Sequence, residues 1–232
     1  MTDQIRERLV RVQERIAEAA NRSGRRAEDI TLIAVSKTFD SATVQQAVDA
    51  GARDLGENRV QEAASKVAIV KGNVRWHLIG HLQSNKARQA IEAFDVIHTI
   101  DSVELAERLD RIAGETGRGP AVLIQVDLAH EATKSGADES ELPAIIEALD
   151  SARYLEFRGL MTLPPFFDSS EQTRSYFRRL REILEGLNRV REPGQKLTEL
   201  SMGMSHDFDV AIEEGATMVR VGTAIFGSRG TP

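Results

Sequence analysis

One lysine stands directly after the first apolar run of the chain. Residues 30–36 carry no charged side chain, and Lys37 follows them. A lysine amine that is partly buried near other cations loses its proton more easily than one in water, and the free amine can attack a carbonyl to form a Schiff base. A solvated lysine that ends a strand would give the same pattern, so this residue alone leaves both interpretations open.

Two glycine-containing segments near the C-terminus carry groups that could bind an anion. Ser205 supplies a hydroxyl just before a predicted helix over residues 207–214, and Gly222 with Thr223 supplies backbone N–H groups and a second hydroxyl. Free N–H groups at the start of a helix attract anions such as phosphate. The two segments together predict a phosphate site, with ordinary helix capping by Ser205 and Thr223 as the alternative.

An arginine lies inside the last apolar run. Arg220 is flanked by Val219 and Val221, so strand alternation puts its side chain on the face opposite to the two valines. With the valines packed against outer helices, Arg220 points inward. A buried guanidinium needs an acceptor, which is either a carboxylate such as Glu57 or Glu199 or an acceptor atom of a ligand.

These groups together match the chemistry of pyridoxal 5′-phosphate. Lys37 would bind its aldehyde carbon, the segments around Ser205 and Gly222–Thr223 its phosphate, and Arg220 its pyridine nitrogen. Arginine only donates hydrogen bonds, so the ring nitrogen would have to accept one and stay unprotonated. An unprotonated pyridine is a poorer electron sink than a pyridinium.

The elements that must position these residues follow a regular pattern. From residue 30 onward, eight short apolar runs alternate with helical patterns, which predicts βα units and a parallel sheet. The runs recur about every 27 residues, which favours a single (β/α)8 barrel of the TIM type over an open doubly wound sheet with fewer strands. The predicted strands cover residues 30–36, 53–55, 75–79, 96–100, 121–126, 157–161, 199–202 and 217–221.

An additional helix is predicted before the barrel. Apolar residues recur every three or four positions from Ile5 to Ala20, which indicates an amphipathic helix within residues 1–24. The barrel then covers residues 30–227 of one domain that spans residues 1–232. Ser41 is predicted to cap an outer helix over residues 42–50, and Ser102 precedes a second apolar helical stripe that begins at Val103. Functional groups of such barrels collect where strands end, which is where Lys37 and the C-terminal segments lie.

The composition excludes several classes of protein. The chain has 232 residues, a net charge of −6 and no cysteine. This charge argues against nucleic-acid or anionic-membrane binding through overall charge, and the lack of cysteine excludes disulfides, thiol nucleophiles and cysteine-based metal sites. No apolar run approaches the roughly 20 residues that span a bilayer, and the first residues lack a signal-peptide core. We therefore expect a cytoplasmic protein with no nucleic-acid, membrane or metal partner.

Six short stretches, in order along the chain, resemble the pyridoxal phosphate homeostasis protein family. They are AVSKT at 34–38, GEN at 56–58, HLIGHLQSNK at 77–86, GLMT at 159–162, LSMGMS at 200–205 and VRVGTAIFG at 219–227. The resemblance implies a barrel like the N-terminal domain of alanine racemase, with the cofactor held by Lys37 as a Schiff base. It also implies phosphate contacts at Ser205, Gly222 and Thr223, Arg220 near the pyridine nitrogen, and Asn58 beside the ring.

The resemblance implies a cofactor carrier rather than an enzyme. Because the chain ends at Pro232, shortly after the last predicted strand, we expect none of the second domain that completes racemases. The expected function is intracellular homeostasis and delivery of pyridoxal phosphate without significant turnover, by a monomer whose partners are apo-enzymes that use this cofactor. The alternative is a racemase-like enzyme with His81 or His206 as a base. A Schiff-base aldolase is disfavoured because its lysine would lie on a central strand.

Overall fold

The computed structural model, which describes residues 2–129 and 135–227, is a closed barrel of eight parallel strands in chain order. The predicted fold class is confirmed. Each strand pairs with its sequence neighbour, and the first pairs with the last. The strands are β1 Thr31–Val35, β2 Asp54–Glu57, β3 Arg75–Leu78, β4 Val96–Ile100, β5 Ala121–Val126, β6 Glu156–Thr162, β7 Glu199–Met204 and β8 Met218–Val221.

Helices precede the barrel and alternate with its strands, as the sequence predicts. They are α1 Thr2–Arg22, α2 Ser41–Asp49, α3 Val60–Val67, α4 Ala87–Ala93, α5 Val103–Thr116, α6 Leu142–Asp150, α7 Arg174–Asn188, α8 Phe208–Glu213 and α9 Thr223–Phe226. Short 3-10 turns lie at Ala27–Asp29, Ser84–Lys86, Ser170–Thr173 and Pro193–Gln195. Among the described residues, no helix is both long and apolar enough to cross a membrane.

The predicted cap of α2 by Ser41 is wrong, whereas α5 is capped by the serine that precedes it. The hydroxyl of Ser102 accepts the N–H of Leu105. Ser41 does not cap α2, because the preceding Asp40 accepts the N–H of Thr43 and Ser41 is already helical. Both acceptors satisfy an N–H group that the first turn of a helix leaves unpaired.

The strand boundaries agree with the prediction to within one residue except at two ends. β2 was predicted over residues 53–55 but continues to Glu57, and β7 continues past residue 202 to Met204. Glu57 is fully buried although it is charged, so the apolar pattern ends before the strand does. Gly203 has no side chain to indicate burial. Both extensions lie at the carboxyl ends of strands, where the barrel carries its functional groups.

The apolar core has two parts. The larger part fills the space between the strands and the outer helices, and it includes the α1 face formed by Ile5, Leu9, Val12, Ile16 and Ala20. The smaller part consists of Ile33, Leu123, Met161 and Met218, which alternate along their strands with residues of the larger part. These four side chains therefore face the barrel interior. They share that interior with several buried polar side chains described below.

Helix α1 packs against α8 and α9, the two helices that follow the last two strands. Ion pairs reinforce the contact with α8, since Arg15 contacts Asp209 and Arg22 Nε donates to Glu213 at 2.8 Å. The additional N-terminal helix therefore supports the part of the barrel from which the predicted phosphate segments extend.

Candidate functional site

A cavity of about 530 Å³ opens at the carboxyl ends of the strands. All six residues that the sequence analysis selected line it: Lys37, Asn58, Ser205, Arg220, Gly222 and Thr223. Apolar side chains supply most of the remaining wall, among them Val35, Ile79, Leu163 and Met204. The cavity thus combines cationic and hydroxyl groups with apolar surface that an aromatic ring could contact.

Lys37 lies half-buried just beyond the end of β1. The next residue, Thr38, has a φ of +72° and is the one non-glycine residue with a positive φ in the described ranges. Its N–H donates to Glu62 Oε2 at 3.3 Å, which helps to hold this conformation. Backbone strain of this kind concentrates at functional sites. The chain therefore turns sharply immediately after the lysine that lines the cavity.

A buried ion pair lies beside the main chain that leads to Lys37. Lys66 Nζ donates to Glu57 Oε1 at 2.6 Å and to the carbonyl oxygen of Ser36 at 2.8 Å, while Ser36 Oγ donates to the same Glu57 oxygen at 2.6 Å. Burial raises the pKa of Glu57, and the hydrogen bonds from Lys66 and Ser36 offset only part of this effect. This group fixes the backbone one residue before Lys37.

Lys66 was not among the residues predicted from the sequence to be buried. Its position could have been found, because Val60, Ala63 and Lys66 recur every three residues along α3 and form its buried face. A lysine on such a face requires a carboxylate nearby, and Glu57 is the one it contacts.

Arg220 points into the barrel, as strand alternation predicts, and neither of the two carboxylates considered as its partner contacts it. It is 3% exposed, and it donates from Nη1 to Ser201 Oγ at 2.6 Å and from Nη2 to the Thr162 carbonyl at 2.9 Å. Glu57 instead contacts Lys66, and Glu199 accepts the hydroxyl of Thr217 at 2.6 Å. Sequence alternation gives the face of a side chain but not its neighbour across the barrel.

In the described part of the chain, the guanidinium of Arg220 has only neutral hydrogen-bond partners. Burial lowers the pKa of Arg220 to about 10, and the charge of Asp207 opposes this effect. Asp207 uses one oxygen to accept the N–H of Met204 at 2.6 Å, so it acts on the guanidinium through space. A buried cation without a contacting carboxylate, at the wall of a cavity, can bind an acceptor atom of a ligand.

A series of buried polar groups continues from Ser201 into the barrel, and the sequence analysis missed it. Ser201 Oγ lies 2.9 Å from His98 Nδ1, and His98 Nε2 lies 2.9 Å from His77 Nδ1. His77 Nε2 in turn lies 2.9 Å from Asp54 Oδ1. Burial, followed by the nearby His77 and Arg220, lowers the pKa of His98 well below its ordinary value, so His98 is neutral.

The two predicted phosphate segments meet at Ser205. Its hydroxyl oxygen lies 3.2 Å from the backbone nitrogen of Gly222 and 3.5 Å from that of Ala224, and it accepts from both. The alternative interpretation, in which Ser205 caps α8, is therefore wrong for this residue. Ser205 lies instead at the start of α9, where hydroxyl and N–H groups face the cavity.

The turn that carries Ser205 requires a glycine. Gly203 has a φ of +91°, and a Cβ atom there would lie 2.6 Å from the Cβ of Ala211. Only glycine accepts both the conformation and the close contact. The adjacent wall shows a similar restriction, since a Cβ on Gly80 would lie 2.3 Å from the backbone oxygen of Asn58. Close packing of these turns thus positions both Ser205 and Asn58.

The two histidines proposed as alternative bases occupy different places. His206 lies exposed at the cavity rim, with its ring 5.4 Å from that of Phe166. His81 pairs with Asp101 at 3.3 Å and does not line the cavity. Of these two histidines, only His206 lies beside the space that a ligand would occupy.

These residues fit pyridoxal phosphate. The guanidinium of Arg220 can donate to the ring nitrogen, and apolar side chains such as Val35 and Leu163 can contact the ring faces. Hydroxyl and backbone N–H groups at Ser205 and Gly222 suit a phosphate, and Lys37 supplies an amine. The individual roles of these residues remain predictions at this point.

Comparisons with known proteins point the same way. The sequence model of the family "Alanine racemase, N-terminal domain" matches residues 8–230. The chain is 41% identical over 224 residues to the pyridoxal phosphate homeostasis protein of Aquifex aeolicus (96% of this chain, 97% of the relative), and 43% identical over 227 residues to that of Pseudomonas aeruginosa (97% and 96%). The structure of PipY from Synechococcus elongatus with pyridoxal phosphate bound is similar at a TM-score of 0.85 and 43% identity, covering 97% of this chain and 100% of PipY.

Proposed function

Because this chain belongs to the pyridoxal phosphate homeostasis protein family, we propose that it binds pyridoxal 5′-phosphate in the cavity at the carboxyl ends of its strands. It would hold the cofactor as a Schiff base on Lys37 and serve cofactor homeostasis and delivery in the cytoplasm, without significant turnover. The observation that carries this proposal is that Lys37, the buried Arg220 and the Ser205–Thr223 groups line one cavity.

Lys37 has the reactive role in this proposal. Its unprotonated amine attacks the aldehyde carbon, water leaves, and a covalent C=N bond remains that hydrolysis can reverse. The contacts of Ser36 with Glu57 and Lys66 hold the neighbouring main chain, so the amine is presented at a fixed height in the cavity. Reversible attachment is the property that a carrier needs.

Arg220 and Asn58 would hold the ring. Arg220 can only donate, so the pyridine nitrogen accepts its hydrogen bond and stays unprotonated. Such a ring withdraws electrons less strongly from an attached group than a pyridinium would. This property favours storage of the cofactor over carbanion chemistry. Asn58 lies half-buried in the same wall, beside the position of the ring.

The Ser205, Gly222 and Thr223 groups would hold the phosphate. Backbone N–H groups and hydroxyls bind phosphate oxygens directly. The hydroxyl of Ser205 now accepts the N–H of Gly222, and it can rotate to donate to a phosphate oxygen while that N–H does the same. Among the described residues that line the cavity, the lysine and the arginine are Lys37 and Arg220, and both are assigned to other parts of the cofactor.

The carrier role also draws support from the relatives. They are named homeostasis proteins, and this chain matches nearly their whole length. A monomeric state and delivery to apo-enzymes that use the cofactor are parts of the proposal that await direct tests. The competing function is an amino-acid racemase, for which His206 at the cavity rim would be the available base.

Absorption spectroscopy with two lysine variants tests the proposal. Pyridoxal phosphate added to the wild type should give the absorption band of a Schiff base, and Lys37→Ala should abolish it. Lys196→Ala, which changes an exposed lysine before β7, should keep the band. A band that survives in Lys37→Ala would contradict the assignment of the amine. Steady conversion of L-alanine to D-alanine by the wild type, lost in Lys37→Ala, would establish the enzyme instead of the carrier.

A further inference from the structure

The buried polar series inside the barrel connects the proposed cofactor site to the opposite end of the strands. Arg220 of β8 contacts Ser201 of β7, and the series continues through His98 of β4 and His77 of β3 to Asp54 at the start of β2. Asp54 also accepts Arg75 Nε at 2.8 Å, and the Arg75 side chain is more than half exposed. The series therefore crosses the barrel interior from the cavity to the surface.

The chemistry of its two ends determines where the hydrogens lie. Burial favours the neutral carboxyl of Asp54, but the contacts of Asp54 with His77 and Arg75 outweigh burial, so the pKa of Asp54 is lowered. A carboxylate only accepts, so His77 donates from Nε2. We assign Nδ1 of His77 as the acceptor and Nε2 of His98 as the donor of the contact between the two rings, an assignment that the tautomer measurement tests.

The hydrogen positions between His98 and Arg220 follow from the tautomer of His98. His98 is neutral, and with its hydrogen on Nε2 its Nδ1 atom must accept. The acceptor Nδ1 faces Ser201, so the serine hydroxyl donates to it. The oxygen of Ser201 is then left to accept from Arg220 Nη1. Every hydrogen bond of the series runs in one direction, from the cation to the carboxylate.

We propose that Asp54, His77, His98 and Ser201 are positioning residues for Arg220. They hold its guanidinium towards the cavity through a relay of hydrogen bonds that all point from Arg220 to Asp54. This inference rests on the proposed function, since the group that Arg220 would meet is the ring nitrogen of pyridoxal phosphate. Hydrogen bonds that share one direction polarise each other, so the Asp54 carboxylate strengthens each donor in turn. The relay also links the buried cation to a carboxylate that it does not contact.

The relay predicts definite tautomers that can be measured without the cofactor. In long-range ¹H–¹⁵N correlation spectra of the ¹⁵N-labelled protein, both His77 and His98 should carry their hydrogen on Nε2. In Ser201→Ala, Nδ1 of His98 loses its donor, and the ¹⁵N shifts of His98 should change while those of the exposed His206 stay. A hydrogen on Nδ1 of His98 in the wild type would overturn the relay.

Cofactor binding provides the second readout. Ser201→Ala leaves a buried cation short of one acceptor, so the dissociation constant for pyridoxal phosphate should rise roughly tenfold or more, with a shift of the bound cofactor's absorption maximum. Ser201→Thr, which keeps the hydroxyl, should restore both. Asp54→Asn, which removes the charge but keeps an acceptor, should shift the absorption maximum in the same direction by less.

A matched carboxylate at the same end of the barrel serves as the control. Asp95 accepts the N–H of Trp76 at 2.8 Å and pairs with Arg118 at 3.6 Å, outside the relay, and Asp95→Asn should leave affinity and spectrum unchanged. If Ser201→Ala and Asp54→Asn bind the cofactor with wild-type affinity and spectrum, the relay is refuted while the proposed function stands. If the wild type binds no pyridoxal phosphate, the proposed function fails, and the relay loses its role at the ring.

Discussion

Two buried cations lie near the carboxyl ends of the strands, and they differ in the charge of their partners. Lys66 is 5% exposed and contacts the carboxylate of Glu57 at 2.6 Å. Arg220 is 3% exposed and contacts a hydroxyl and a carbonyl. Arg220 lines the cavity, whereas Lys66 does not.

This difference distinguishes a cation with a structural role from one that we propose to bind the ligand. A charge removed from water needs compensation, and a carboxylate in the same chain provides it for Lys66. In the part of the chain that the structure describes, Arg220 has only neutral hydrogen-bond partners and a more distant Asp207, so the acceptor that would complete its shell can come from a ligand. Burial is nearly equal for the two residues, and the chemistry of the partners decides their roles.

The largest effect on stability is expected from breaking the compensated pair. Lys66→Met leaves the Glu57 charge buried without its partner, and one oxygen of Glu57 already lacks a hydrogen bond in the described residues. The free energy of unfolding should fall by about 3–5 kcal/mol, measured by urea denaturation. The double variant Lys66→Met with Glu57→Gln should lose clearly less. A loss below about 1 kcal/mol in the single variant, which is the range of exposed ion pairs, would remove the distinction.

Replacing Arg220 should affect ligand binding more than the stability of the cofactor-free protein. Arg220→Met removes a buried charge without leaving a contacting carboxylate unpaired, so the cofactor-free protein should change in stability by less than Lys66→Met does. Pyridoxal phosphate at 100 times its dissociation constant should stabilise the wild type by about 2.7 kcal/mol. This stabilisation should disappear in Arg220→Met.

Thermal unfolding with and without the cofactor measures both quantities for Arg220→Met. Lys66→Met, at a temperature where it remains folded, is the control that should keep its response to the cofactor. An Arg220→Met protein with the full wild-type response would show that this cation does not bind the ligand.

The smallest effect is expected in the pH dependence of the two carboxylates. The pKa of Asp54 is lowered in the folded state, so its contribution to stability is present above the ordinary value of 3.8 and is lost as the pH falls through the folded value. The pKa of Glu57 is raised, so the folded state holds its proton more tightly. Its contribution is present below the ordinary value of 4.5 and is lost as the pH rises through the folded value.

Urea denaturation of the wild type, Asp54→Asn and Glu57→Gln at several pH values between about 3 and 7 separates these contributions. This range covers roughly two pH units around the ordinary pKa values of the two carboxyl groups. The stability advantage of the wild type over Asp54→Asn should shrink towards low pH. Relative to Glu57→Gln, the wild type should lose stability as the pH rises. Slopes of equal sign for the two variants would contradict the assigned environments.

The sequence predicted the fold because its signals are local. The spacing of apolar runs defined the strands, and the barrel then brought the residues after β1, β2, β7 and β8 to one cavity. The end of β2 was missed because the buried Glu57 interrupts the apolar pattern.

The relay and the partner of Arg220 could not be predicted in this way. His98 and Ser201 are 103 positions apart and meet across the barrel interior. Their contact depends on strand register and barrel closure, which no short window of sequence contains. The orientation of Arg220 followed from alternation, but the identity of its partners required the three-dimensional arrangement of three strands, β6, β7 and β8.

Covalent attachment of pyridoxal phosphate to Lys37 is the central property to measure. The protein would be incubated with the cofactor, reduced with borohydride, and analysed by intact-mass and peptide mass spectrometry. The account predicts one reduced pyridoxyl phosphate group per chain, on the peptide that contains Lys37, and none in Lys37→Ala. A group located on another lysine of the wild type, or no group at all, would contradict it.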